Sequence, residues 1–308
     1  MSILNVSKPA TLFPKLSISA RTACGPKRKN NEDAFVVVFS DSAYPDPEKF
    51  GMDSDSLDLQ EVTVGHSGLF LAVIDGMGGA DHGEKASKFL GLEFQKLFRR
   101  LLTQNYAGET KWKMSNKTVN SLLEVNDLLV AEVARLGARQ MGAVSTIVWV
   151  KREVLMIFQV GDTRAYLLDG DNIRQLTHDQ TKLQSALTAG LITDEEAKDS
   201  NLGNLVSQAF GAKKKVEPDV EWVETPASGL LMICSDGFHN SLNPGRAWKD
   251  FAQSAEPLPK KLSELHQASL GENNKDNSTI IAVEFMGGDS ATGKENDKKP
   301  GKKRFFWF

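Results

Sequence analysis

The sequence predicts an α+β protein in which two antiparallel β-sheets pack face to face as a sandwich, with helices outside in α-β-β-α layers. Three observations lead there. Short apolar runs fall into two blocks, separated by a pair of segments with helical spacing. The clearest of these runs is apolar at nearly every position, as expected of a strand covered on both faces. The second helical segment carries an apolar stripe along one side, so it lies on a sheet with its other side in water.

The first block contains strands at residues 16–20, 34–39 and 69–74, of which Ala34-Phe-Val-Val-Val-Phe39 is the continuous apolar run. Residues 40–61, rich in Ser, Asp and Pro, have turn composition and little periodicity and are expected to form a long loop. Helical spacing over 84–102 places Phe89, Leu92, Leu97 and Leu101 at the apolar positions. A second amphipathic helix over 119–136 aligns Leu122, Val125, Leu129, Val133 and Leu136, and the polar segment between the helices reads as a loop.

The second block has strands at 146–150, 154–160 and 165–168, with Arg152-Glu153 as a tight turn between the first two. Residues 177–211 are helix-like but broken by Gly190, Gly203 and Gly211, an excursion from the sandwich. Strands at 216–223 and 230–234, a helix within 247–270 and a last strand at 279–285 complete the order. Residues 1–15 form an N-terminal extension and 16–287 the main domain. Residues 288–308 shift to Gly, Asp, Lys and Asn, the composition of a disordered tail.

Of the 308 residues, 40% are hydrophobic and 25% charged, which suits a globular protein with a sizeable core. A net charge of −3 gives no nucleic-acid footprint. Two cysteines, Cys24 and Cys234, make no disulfide framework, and Cys234 lies in an apolar run where burial is expected. No run approaches the roughly 18 apolar residues of a membrane span. The start lacks the basic leader and apolar centre of a secretory signal, which places the protein in the cytoplasm.

The acidic residues sit where strands start or stop. Glu32-Asp33 precede a strand, Asp75-Gly76 follow one, and Asp162 interrupts a hairpin region. Asp236 follows an apolar strand and Asp276 precedes the last one. A single Asp-Gly after a strand is a turn signal. If all five ends converge, their carboxylates repel, and a divalent cation relieves the repulsion. Oxygen-only donors favour magnesium or manganese, and the His/Cys spacing of a zinc site is lacking. Gly76 would let its own carbonyl approach an ion. Arg28, just ahead of the first acidic pair, offers a fork that matches two phosphate oxygens.

These residues lie in RKNNEDAF (28–35), VIDGMGG (73–79), GEKAS (83–87), VGDTRAYLL (160–168), GLITDEEA (190–197), ICSDGF (233–238) and DNSTII (276–281). In that order and spacing the chain resembles the metal-dependent protein serine/threonine phosphatases of type 2C in their bacterial form. The resemblance runs from about Leu16 to Phe285 and implies hydrolysis of phosphoserine and phosphothreonine in proteins by a metal-activated water. It implies two to three manganese or magnesium ions. Asp75 would bridge the two core ions, with Gly76 offering its carbonyl and Asp236 and Asp276 completing the first. Asp33 would hold the second, Glu32 would act through waters, and Asp162 with Asp236 would bind a third. Arg28 would hold the phosphate, and residues 177–211 would be a flap over the substrate.

The chain departs from that pattern at Met77 and Ala80, where relatives carry histidine, so His82 stands as a candidate proton donor. Gln180 also replaces a usual histidine, and Val144-Ser-Thr146 stands where relatives have Gly-Ser/Thr-Thr after the second helix. Neither cysteine is followed by the arginine of a cysteine-phosphatase loop. Rival readings are a pseudophosphatase used as a scaffold, a partner-switching phosphatase for one dedicated regulator, and a metal nuclease. Phosphorylated Ser/Thr proteins, a Ser/Thr kinase among them, are the expected partners. The ending Lys302-Lys-Arg-Phe-Phe-Trp-Phe308 joins cations to aromatics, a composition suited to reversible docking on an anionic membrane or a partner.

Overall fold

The computed structural model describes residues 15–39, 54–78, 82–138, 140–198 and 205–287. One sheet is built from β1 (Lys15–Ala23), β3 (Ser56–Thr63), β7 (Arg164–Asp169), β8 (Asn172–Gln175), β10 (Gly229–Cys234) and β11 (Ser278–Met286). The other uses β2 (Asp33–Phe39), β4 (Leu69–Met77), β5 (Gly142–Val150), β6 (Val154–Val160) and β9 (Asp219–Glu224). Their orders are β3-β1-β11-β10-β7-β8 and β2-β4-β5-β6-β9, with antiparallel pairing throughout.

Alternation along each strand sorts the side chains into three cores. From β2, Phe35 and Val37 enter the space between the sheets, where they meet Ile18 of β1, Ile233 of β10 and Ile281 of β11. Ala34, Val36 and Val38 point the other way, toward Leu90, Phe94 and Phe98 of α1 (His82–Leu102) and Leu122 of α2 (Lys111–Leu136). On the opposite outer face, Leu230, Met232 and Cys234 of β10 meet α5 (Asp236–Ser241), α6 (Arg246–Gln253) and α7 (Leu258–Ser269) through Phe238, Trp248 and Leu262. This double covering accounts for the continuous apolar runs, and each fully buried Leu, Ile or Phe contributes roughly 1.5–3 kcal/mol. Cys234 is fully buried, as its sequence context implies.

Several local expectations are corrected. The predicted loop over 40–61 gives way to β3 from Ser56. Its Leu57 and Val62 turn inward while Asp58 pairs with Arg21 and hydrogen-bonds Ser19, a half-buried edge strand written in acidic residues. Residues 40–53 lie outside the described residues. α2 starts at Lys111, capped by Thr110, because the residues its first turns bury are Met114, Ser115 and Thr118, which leave little apolar stripe. Leu92 and Leu136 face solvent, and Leu90, Phe94 and Phe98 carry the buried face of α1. β9 begins three residues late because Val216 packs into the helix-side core. The region 247–270 holds two helices, parted before Pro257. β8 and α5 are additions to the predicted order.

Within the excursion 177–211, the chain forms α3 (Lys182–Thr188) and α4 (Asp194–Lys198), while residues 199–204 lie outside the described residues. The basic-aromatic tail and the N-terminal extension as far as residue 14 do so as well. Among the described residues, no helix is long and apolar enough to cross a membrane.

Candidate metal centre

Antiparallel pairing brings the acids together. β2 and β11 begin, and β4, β6 and β10 end, at the same end of their sheets, because neighbouring strands run in opposite directions. Asp33 and Asp75 are direct register partners across β2 and β4. The two sheet ends are then tied to each other. Ser235 Oγ donates to Asp33 Oδ2 at 2.7 Å and accepts from Thr279 N at 3.0 Å, so one hydroxyl joins β2, β10 and β11.

Asn277 makes a second tie. Its Oδ1 accepts from Glu32 N at 3.0 Å, and its Nδ2 donates to Asn30 O at 2.9 Å. Glycines permit the close approach these ties need. A Cβ on Gly237 would stand 1.8 Å from Asn277 O, and one on Gly25 would stand 1.7 Å from Asp276 O. A Cβ on Gly76 would stand 2.2 Å from Gly83 O, so the metal-carbonyl candidate is packed against the start of α1. In the sequence Ser235, Gly237 and Asn277 are only small or polar neighbours of the acids, and Gly25 and Gly83 carry no assigned role. Their signal there is a small or amide residue beside or facing each acid.

Asp33 is buried, whereas Asp75, Asp162, Asp236 and Asp276 each keep an edge open to solvent at the end of the sandwich. Most of their surroundings are nonetheless protein. Burial, then repulsion from Asp236 and Asp276, pushes the Asp33 carboxyl up to about 7 against the help of Ser235 and Thr279. Asp162 is likewise pushed up to about 7 by burial and by Asp236 and Asp179. Burial and the charges of Asp33, Asp236, Asp162 and Asp276 raise Asp75 well above the carboxylate range. Asp236 is raised by burial and Asp276, and a hydrogen bond with Asp75 offsets part of that rise.

Arg28 closes the rim. Its Nη2 lies 2.6 Å from Asp276 Oδ2, its Nε donates to Lys275 O at 3.2 Å, and its Nη1 is 3.5 Å from Glu32 Oε2. The guanidinium is part exposed, so it stands between the acids and solvent. Asp162 sits on the β6–β7 turn beside His239, whose Nε2 lies 3.3 Å from Asp162 O. His82 is the first residue of α1, close to Gly78. Gly79, Ala80 and Asp81 lie outside the described residues.

Among the described residues, no group of three or more His, Cys, Asp or Glu side chains stands close enough together to hold a metal ion as placed. The donor chemistry nevertheless fits a hard divalent cation. The donors are carboxylate oxygens that repel one another, and Asp236 Oδ1 is buried with no hydrogen-bond partner. An orphaned buried carboxylate oxygen costs free energy unless a cation or proton meets it.

The protein phosphatase 2C family profile matches residues 54–273, well over half of the chain. The chain belongs to the protein phosphatase 2C family. The matched stretch contains Asp75, Gly76, Asp162 and Asp236 and stops short of Arg28, Asp33 and Asp276, which the fold brings in from both sides. The serine/threonine phosphatase stp of Listeria innocua is 28% identical over 213 residues, 69% of this chain and 82% of that one. The solved structure of serine/threonine phosphatase Stp1 from Staphylococcus aureus has a TM-score of 0.73 at 24% identity, covering 91% of this chain and 99% of that one. The catalytic domain of serine threonine protein phosphatase PstP, solved in complex with 2 manganese ions, has a TM-score of 0.64 at 24% identity, covering 88% and 99%.

Proposed function

We propose that this chain hydrolyses phosphate esters of serine and threonine in other proteins, with two to three magnesium or manganese ions held at the acidic end of the sandwich. The observation that carries the reading is the convergence of five strand-end aspartates under one arginine in a member of this family. Asp75 lies at the centre of the set, since the charges of Asp33, Asp162, Asp236 and Asp276 all reach it. Asp33, Asp236, Asp276 and the Gly76 carbonyl would complete the core ligands, and Asp162 with Asp236 would hold a further ion. Cations bound there would neutralise phosphate oxygens and acidify a water.

Arg28 would take the phosphate, since its planar fork matches two phosphate oxygens and it lies part exposed at the rim beside Asp276 and Glu32. Glu32 would order water at the rim, and His82, at the start of α1, is the candidate donor to the leaving oxygen. The substrates would be phosphorylated proteins, a Ser/Thr kinase among them. The site would work in the cytoplasm, with the basic-aromatic tail docking reversibly on an anionic surface. Deleting residues 301–308 should abolish sedimentation with anionic liposomes; unchanged sedimentation would remove that part of the reading.

The test of the activity is hydrolysis of a phosphothreonine peptide after chelation, then with manganese or magnesium restored, beside Asp75→Asn and Asp236→Asn. Turnover that returns with the cation and is lost in both variants is the expected result. A folded protein inactive with every divalent cation would contradict it.

A further inference from the structure

The turn that carries Asp162 is clamped from two sides. On the sheet side, Gln159 Nε2 donates to the carbonyls of Gly161 at 3.2 Å and Thr163 at 2.9 Å, and the Thr146 hydroxyl reaches Thr163 O at 2.8 Å. On the other side stands a single residue of the excursion, Gln180. Its side-chain Oε1 accepts from Gly161 N at 2.9 Å, and its backbone N donates to Gly161 O at 2.8 Å. Gln180 thus reaches both polar groups of Gly161, sharing the carbonyl with Gln159.

This matters because Gly161 directly precedes Asp162 and has a φ of +101°. A glycine samples a wide range of backbone angles, so an unclamped Gly161 would let the Asp162 carboxylate swing. The same glutamine gathers the excursion. Its carbonyl accepts from Ser207 N at 2.7 Å and Ser207 Oγ at 2.9 Å, on the returning arm. Its Nε2 donates to Glu217 O at 3.0 Å, on the approach to β9.

We propose that Gln180 is a positioning residue that sets cation affinity at Asp162 and ties that affinity to the arms of the excursion. The proposal rests on the reading of Asp162 as a cation ligand. Groups that orient a metal ligand typically change affinity 10–100-fold when removed. Asp162 is oriented through its neighbour's backbone, so the effect belongs at the lower end of that range.

The experiment is calorimetric titration of manganese into the chelated full-length protein, wild type beside Asp162→Asn, Gln180→Ala and the double variant. Asp162→Asn identifies the binding step that Asp162 serves. Gln180→Ala removes the side-chain bonds to Gly161 N and Glu217 O and keeps the backbone bonds to Gly161 O and Ser207; it should weaken that same step about tenfold, leave the tighter steps within about twofold, and add nothing in the Asp162→Asn background. Hydrogen exchange should quicken at Gly161 to Thr163 in Gln180→Ala while the β5 amides keep their protection. A purely structural role would instead weaken every step and quicken exchange across the sheet, and that outcome overturns the proposal. So does an Asp162-dependent step that ignores Gln180→Ala. If Asp162→Asn removes no step at all, the cation reading of Asp162 fails first and the proposal falls with it.

Discussion

The Asp33–Asp236–Asp276 side of the centre and the Asp162 side are held by different parts of the chain. On the first, the supports belong to the sandwich: Ser235 joins three strands, Asn277 joins the lead-ins of β2 and β11, and Gly237 and Gly25 let backbones nearly touch. On the second, a turn is pinned partly by the sheet and partly by Gln180, which belongs to an excursion of short helices. The difference teaches that one centre can contain a rigid part built with the fold and a part whose geometry follows a peripheral segment. With cations bound as proposed, the first half would suit ions that stay and the other an ion that comes and goes.

The largest expected effect comes from the residue both halves share. Asp75→Asn should lower phosphopeptide turnover by at least about a thousandfold while circular dichroism stays unchanged. A loss smaller than tenfold would break the comparison at its root. Next come lesions of the rigid half. Gly237→Ala must push Asn277 O away from a contact of 1.8 Å, which should cost about 3 kcal/mol in urea unfolding. Asn277→Ala removes the bond from the Glu32 amide and the bond to the Asn30 carbonyl and should cost about 2 kcal/mol. Stability unchanged in both would show that the cradle does not support the fold.

A pH series separates proton from cation. Asp33 and Asp162 hold their protons up to about 7 in the folded chain, against about 4 in an unfolded one. Between those values the folded state binds more protons than the unfolded state. Their contribution to stability is therefore full below about pH 4 and is lost as pH rises to about 7. A cation has to displace those protons, so the gain in Tm on adding manganese should be larger at about pH 8 than at about pH 5. An equal gain at both would mean the cation binds elsewhere. The smallest effect is expected on the adjustable half. Asp162→Asn should remove the weakest manganese-binding step and leave the Tm of the chelated protein unchanged or slightly higher at pH 8, since it deletes a largely enclosed charge that repels Asp236 and Asp179.

Much of this was legible in the sequence, for physical reasons. Asp33, Asp75, Asp162, Asp236 and Asp276 could be placed at strand ends because doubly covered strands are written as apolar runs with abrupt polar stops. Antiparallel order then implies which ends coincide. β3 was hidden because an edge strand needs only alternate apolar residues, and Asp58 and Glu61 gave its segment the look of a loop. The start of α2 was hidden because Ser115 and Thr118 are buried through hydrogen bonds to Trp222 and the Met114 carbonyl, which a hydrophobic pattern does not record. Ser235 and Asn277 were invisible as supports because their bonds join residues some 44 to 247 positions apart. Gln180 stood out only as a departure from the family pattern, and its role is read from bonds to Gly161, Ser207 and Glu217.

The most direct test of the central claim, that the strand-end acids form one cation centre, is an anomalous difference map from crystals soaked in manganese. The account predicts peaks between Asp33, Asp75, Asp236 and Asp276, with a weaker one beside Asp162. Peaks absent from that end of the sandwich, or found only on surface carboxylates, would contradict it.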